Sequence, residues 1–175
     1  MNSVSKRSAI FTKLDHQDNL SEPGESSIGR ELHKNQSRLG QHFYLFMLLL
    51  ASGCRYHEVQ TIQANQITSS GQVLVKGKKG SNDRFISCES VTDYLLKCKA
   101  EGLAPFRNCH INSSNRLLKQ FGLITQKKGR VRLTVSGIFR EAYAKSIREV
   151  SIDDSKVSEF LGHKSKSNSQ YYGKG

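Results

Sequence analysis

The hydrophobic pattern is densest at Phe43-Tyr44-Leu45-Phe46-Met47-Leu48-Leu49-Leu50-Ala51, apolar on nearly every face and ended by Ser52-Gly53. It predicts a buried helix, at half the ~20 residues of a membrane span. A second short helix is expected from about Tyr56, carrying Glu58, Val59 and Ile62. The turn between them sets Arg55 at a helix edge beside the most apolar element of the chain. Such an arginine is either an ion-pair partner, with Glu58 nearest, or a site residue, because a guanidinium near a core needs acceptors.

Two strands, Gln72 to Val75 and Arg84 to Ile86, flank Lys76-Gly77-Lys78-Lys79-Gly80-Ser81-Asn82-Asp83 and predict a hairpin with a basic tip. Val91, Tyr94, Leu95 and Cys98 have helical spacing, as do Leu117, Leu118 and Phe121 after Ser113-Ser114-Asn115. Lys127-Lys128-Gly129-Arg130 forms another basic turn. Past it, Ile138, Phe139, Ala142, Tyr143, Ile147 and Val150 trace the apolar stripe of a long helix, with Arg140 early on it and off the stripe. A last helix opens at Asp153-Asp154 and closes at Gly162, acidic start and glycine end matching helix polarity. Residues 1–29, with Pro23-Gly24 and Ser26-Ser27, read as a flexible arm or linker, and residues 30–175 as one domain. The expected fold is mixed and mainly α, with a small three-stranded antiparallel sheet.

Charge narrows the function. The formal net charge is +12. Residues 104–175 hold 14 Lys and Arg against 5 Asp and Glu, so +9 of it lies in that half. A bias this lopsided points to a polyanion, most often nucleic acid. The four cysteines are widely spaced, with no C-x-x-C pair, and the histidines form no metal-binding helix pattern. Buried, reduced thiols are expected, with no metal. The first residues lack a signal-peptide pattern, so the chain is placed in the cytoplasm, associated with DNA and with no membrane contact.

The end of the chain supplies the chemistry. After Leu161-Gly162-His163 a polar connector bearing Lys164 and Lys166 leads to Tyr171-Tyr172, the second tyrosine nine residues beyond the histidine. A phenol titrates near pH ~10 and attacks a phosphodiester only beside positive charge or a base. Arginine grips two phosphate oxygens without losing its charge, a lysine on a mobile hairpin can protonate a leaving oxygen, and histidine can donate a hydrogen bond.

These residues carry a family resemblance. Ala51-Ser52-Gly53-Cys54-Arg55-Tyr56-His57-Glu58-Val59 resembles the "TGLRxSEL" box of the tyrosine recombinase (phage integrase) family. Val75 to Arg84 is similar to its hairpin "GKGxKxR", with Lys79 in the lysine position and Lys78 as the fallback. Ile138-Phe139-Arg140 and the four residues after it resemble "HxLRHxxA", and Leu161-Gly162-His163 with Tyr172 matches "LGH…Y". Each box alone is weak, and four in the family's order are fairly specific. The resemblance implies Arg55, Lys79, Arg140, His163 and Tyr172 as catalytic residues of a metal-free DNA strand transferase working through a 3′-phosphotyrosyl bond, with no cofactor. It implies double-stranded DNA as partner, and self-association into a tetrameric synapse in the full-length protein. Lys76, Lys78, Arg84, Lys127, Lys128, Arg130, Lys164 and Lys166 are the expected DNA contacts.

The chain departs from the pattern. Gly137 stands where the second box has its first histidine, Glu141 replaces the second, and Thr134 lies six residues before Arg140 where the family usually has five. Twenty-nine arm residues are too few for the family's clamp domain, and Gly173-Lys174-Gly175 alone follow Tyr172, so the chain reads as a piece of a longer recombinase. Two alternatives remain open: a relative of the same fold that holds DNA without cutting it, and a generic basic RNA-binding domain.

Overall fold

The computed structural model describes residues 26–77, 82–124 and 135–150. Seven α-helices and two strands follow one another in these segments. Helix α1 spans Ser27–Lys34, ahead of the boundary expected at residue 30, and Ser26 caps it by accepting the Gly29 N–H at 3.0 Å. Helix α2, Gln36–Leu39, is one turn long, and Gly40 at φ +56° swings the chain into α3, Gln41–Ser52.

Helix α3 is the centre of the molecule. From Leu45 to Ser52 every residue is buried, because α1, α2, the short helix α4 (Tyr56–Gln60), strand β2 (Arg84–Ile86), α5 (Glu89–Glu101) and α7 (Val135–Val150) all pack around it. A helix apolar on all sides needs such enclosure, and each Leu buried there is worth about 1.5–3 kcal/mol. Aromatic pairs set two of the contacts. Tyr44 stacks on Tyr94 of α5 at 4.1 Å, and Phe46 stacks on Phe139 of α7 at 5.4 Å.

Strand β1, Val73–Val75, pairs antiparallel with β2 in the register Val73↔Ile86, Leu74↔Phe85, Val75↔Arg84. Among the described residues the sheet has two strands, and Ile67 adds only an isolated bridge to Val73, since the 3₁₀ turn Ala64–Gln66 occupies the chain before it. Helix α6, Ile111–Gln120, starts at Ile111 with His110 at the N-cap position, ahead of the expected serines. Ser114 lies inside it, fully buried and 3.1 Å from the Tyr56 hydroxyl, which donates to the Cys109 carbonyl at 2.6 Å. Asn115 then accepts the Val135 N–H at 2.8 Å, so α6 caps the start of α7. All four cysteines are buried free thiols. Among the described residues no helix is long and apolar enough to cross a membrane.

Candidate active site

The turn from Ser52 to Arg55 joins α3 to α4, and three neighbours hold three consecutive residues of it. Gly53 takes φ +65°, a left-handed conformation that L side chains avoid, and ends α3. The Tyr143 ring of α7 lies against it, so that a Cβ at Gly53 would sit 2.1 Å from a ring carbon. One helical turn earlier on α7, Arg140 donates through Nη1 to the Gly53 carbonyl at 2.7 Å. The second arginine of the sequence pattern therefore reaches the turn that ends in the first.

Arg140 is 1 % exposed. This corrects its expected position off the apolar stripe: Arg140, Tyr143, Ala144 and Ile147 are all buried, and their spacing of three, four and seven places them on one helix face. Burial raises the Tyr143 phenol well above its usual pKa. That keeps it protonated and unsuited to attack.

Arg55 is half-buried at the N-terminal edge of α4. Glu58 does not take its guanidinium. The Glu58 carboxylate, 2 % exposed, accepts the Arg55 backbone N–H at 2.7 Å and is ion-paired instead with Arg84 at 3.2 Å. Arg84, expected among the DNA contacts, is turned by the pairing of Val75 with Arg84 to the inner face of the hairpin, where it is 8 % exposed. Its second nitrogen arm also donates to Cys54 Sγ at 3.0 Å. Burial opposes the charge of Arg84, but Cys54 and Glu58 outweigh it and hold the guanidinium firmly protonated. Burial in turn pushes the Cys54 thiol up, so it stays neutral.

At the neck of the hairpin, Asp83 accepts the Gly77 N–H at 2.7 Å and meets Lys76 Nζ at 3.4 Å. The first of these bonds is the main reason that its carboxyl is held below its usual range. An exposed pair of this kind contributes little, so Lys76 can exchange Asp83 for another anion at small cost. Gly137, in the first turn of α7, has nothing within 4 Å of where a Cβ would stand. Among the described residues, the absent histidine thus leaves open space rather than a substitute side chain packed into its place.

Lys78, Lys79, Lys127, Lys128, Arg130, His163, Lys164, Lys166 and Tyr172 lie outside the described residues, as does the last expected helix. Of the five residues read as catalytic, Arg55 and Arg140 lie within the described residues, and Arg140 bonds to Gly53, two residues before Arg55 in the chain. The sequence reading gave Cys54 and Tyr143 no part in this neighbourhood, and it gave Glu58 a different partner. Period-two alternation carries a usable signal for one link, since Arg84 and Ile86 share a face while Phe85 between them is exposed.

No protein-family model matches the sequence, and no curated protein does. Solved structures do. XerA recombinase aligns with a TM-score of 0.58 at 18% identity, over 82% of this chain and 55% of that one. XerH site-specific recombinase, bound to difH substrate in a pre-cleavage complex, aligns with a TM-score of 0.53 at 19% identity, over 95% of this chain and 48% of that one. The same recombinase in a post-cleavage complex with a palindromic difH substrate gives 0.53 and 18%, over 88% and 53%. The chain spans about half the length of each. It shares the fold of these site-specific recombinases.

Proposed function

We propose that this chain is the catalytic domain of a tyrosine-type site-specific DNA recombinase. The observation that carries the reading is the bond from Arg140 to the Gly53 carbonyl, which sets the second arginine two residues from Arg55 on a fold shared with recombinases. Arginines from α7 and from the α3–α4 turn then flank one phosphate and neutralise the charge that builds on its non-bridging oxygens.

In this reading the Tyr172 phenol loses its proton to water, its oxygen attacks the phosphorus, and the bond from phosphorus to the 5′ oxygen breaks. Lys79 gives that oxygen its proton, His163 donates a hydrogen bond to the phosphoryl group, and a 3′-phosphotyrosyl ester forms. Attack by another strand's 5′ hydroxyl reverses these steps, so the ester's energy is kept and no cofactor is consumed. Lys76 and Lys78 of the hairpin, with Lys127, Lys128, Arg130, Lys164 and Lys166, contact the DNA backbone. The synapse is tetrameric in the full-length protein.

One observation favours a second reading. Gly137 offers neither a proton nor a hydrogen bond where the resembled family has histidine, and the loss of one such group costs about 10²–10⁴ in rate. The same fold would then hold DNA without cutting it. A 5′-phosphorothiolate duplex, whose thiolate leaves without protonation, or a nicked duplex, whose short cleaved strand diffuses away, traps the covalent complex and separates the two. The recombinase reading expects an adduct that disappears in Tyr172→Phe. No adduct under any condition supports the DNA-binding relative.

A further inference from the structure

Three consecutive residues of the α3–α4 turn are each held by a different partner. Arg140 holds the Gly53 carbonyl, Arg84 holds Cys54 Sγ, and Glu58 holds the Arg55 N–H. The last two partners also grip each other. Glu58 Oε1 accepts Arg84 Nη2 at 3.2 Å while Oε2 accepts Nη1 at 3.3 Å, and Nη1 donates again to the Asn82 carbonyl at 3.0 Å, in the descending arm of the hairpin. Ser52 closes the set, accepting the Cys54 N–H at 3.2 Å and donating to the Leu48 carbonyl at 2.6 Å.

We propose that Arg84 is a positioning residue: through Glu58 and Cys54 it locks the base of the hairpin to the turn that presents Arg55. A planar fork is needed, because one guanidinium here serves a carboxylate, a thiol and a carbonyl in three directions, and an ammonium cannot match that geometry. A buried pair of this kind adds little net stability but fixes geometry, since each charge is tolerated only in place against the other. The consequence is register. The pair fixes Asn82 and strand β2 relative to the turn that presents Arg55. This extension rests on the recombinase reading only for what it says about rate.

The test is the double variant Glu58→Gln with Arg84→Met. The substituted amide retains an oxygen for the Arg55 N–H, and removing both charges together leaves none stranded in the core, so the fold should survive. Hydrogen exchange then reads the coupling without any need for catalysis. Amides of Val73–Val75, Arg84–Ile86 and Tyr56–Gln60 should exchange at least about tenfold faster, with those of Glu89–Glu101 unchanged. DNA affinity and its salt dependence should stay as in the parent, because no phosphate contact is lost. Single-turnover cleavage should fall by about 10²-fold, the usual cost of a misplaced group. Arg84→Lys should lose rate nearly as far, since the charge alone does not restore the fork.

A salt-dependence slope lower by about 0.9 would instead make Arg84 a phosphate contact and overturn the proposal. Unchanged exchange in all three segments would overturn it as well. A parent chain that cleaves nothing counts against the recombinase reading alone, and the exchange experiment still decides the coupling.

Discussion

Arg140 donates to the carbonyl of Gly53 across 2.7 Å, joining positions 87 residues apart in the chain. The bond forms because Gly53 presents a backbone that turns left-handed and carries no side chain, which lets α7 lie directly on the end of α3. A glycine, an arginine and the ring of Tyr143 thereby form one contact that fixes where Arg55 begins α4.

Gly53→Ala should be among the most damaging single substitutions. Left-handed backbone costs an L residue about 1–2 kcal/mol, and overpacking against Tyr143 adds about 1–3 kcal/mol. The melting temperature should fall by roughly 5–15 °C on the usual scaling for a chain of this size. Ala at Gly40, where the Cβ meets nothing, should suffer only the backbone part.

Arg55→Ala and Arg140→Lys should separate cleavage from binding. With one fork missing from the phosphate, single-turnover cleavage should drop by about 10²–10³-fold. Equilibrium affinity, spread over many backbone contacts, should change far less and lose roughly 0.9 from its salt slope for the phosphate released by Arg55→Ala. A basic domain that binds RNA indiscriminately would tolerate both substitutions.

Gly137→His should gain activity without losing stability. A Cβ at Gly137 meets nothing within 4 Å, and histidine is a slightly better helix former than glycine. Strand cleavage on an unmodified duplex should rise by about 10²-fold or more if a proton acceptor or donor is what the site lacks. An unchanged rate would mean that another group already supplies this function.

His42 should make the fold acid-sensitive. Its ring lies 5.7 Å from Phe46, and burial first, then the nearby charges of His110 and Arg116, lower its pKa. Below its usual value of about 6.5 the unfolded chain takes up a proton that the folded one refuses. Stability is therefore full above about pH 6.5, declines as the pH falls, and levels off beneath the folded pKa. His42→Phe should remove that portion of the decline, which thermal melts of both proteins across about pH 7 to pH 5 would measure.

Much of this architecture is readable from periodicity. The all-apolar run from Phe43 to Ala51 announces the central helix, and Val73–Val75 with Arg84–Ile86 announce the hairpin, because burial on all sides or on alternate positions leaves a direct trace in composition. The interior charges are harder to read. Arg84 and Arg140 look like surface residues one at a time, and only partners distant in sequence, Glu58 and Gly53, make their burial tolerable. Proximity in sequence favours Glu58 as a partner for the Arg55 side chain, whereas the structure gives its carboxylate to Arg55's backbone and to Arg84's side chain. Among the described residues the sheet has two strands, and the 3₁₀ turn Ala64–Gln66 precedes the isolated bridge from Ile67 to Val73.

The most direct measurement is to digest the trapped DNA adduct and locate the nucleotide-bearing tyrosine by mass spectrometry. The account predicts a 3′-phosphodeoxynucleotide on Tyr172, with Tyr143→Phe still forming the adduct because its buried phenol stays protonated. Attachment to any other residue, or an adduct that persists in Tyr172→Phe, would contradict it.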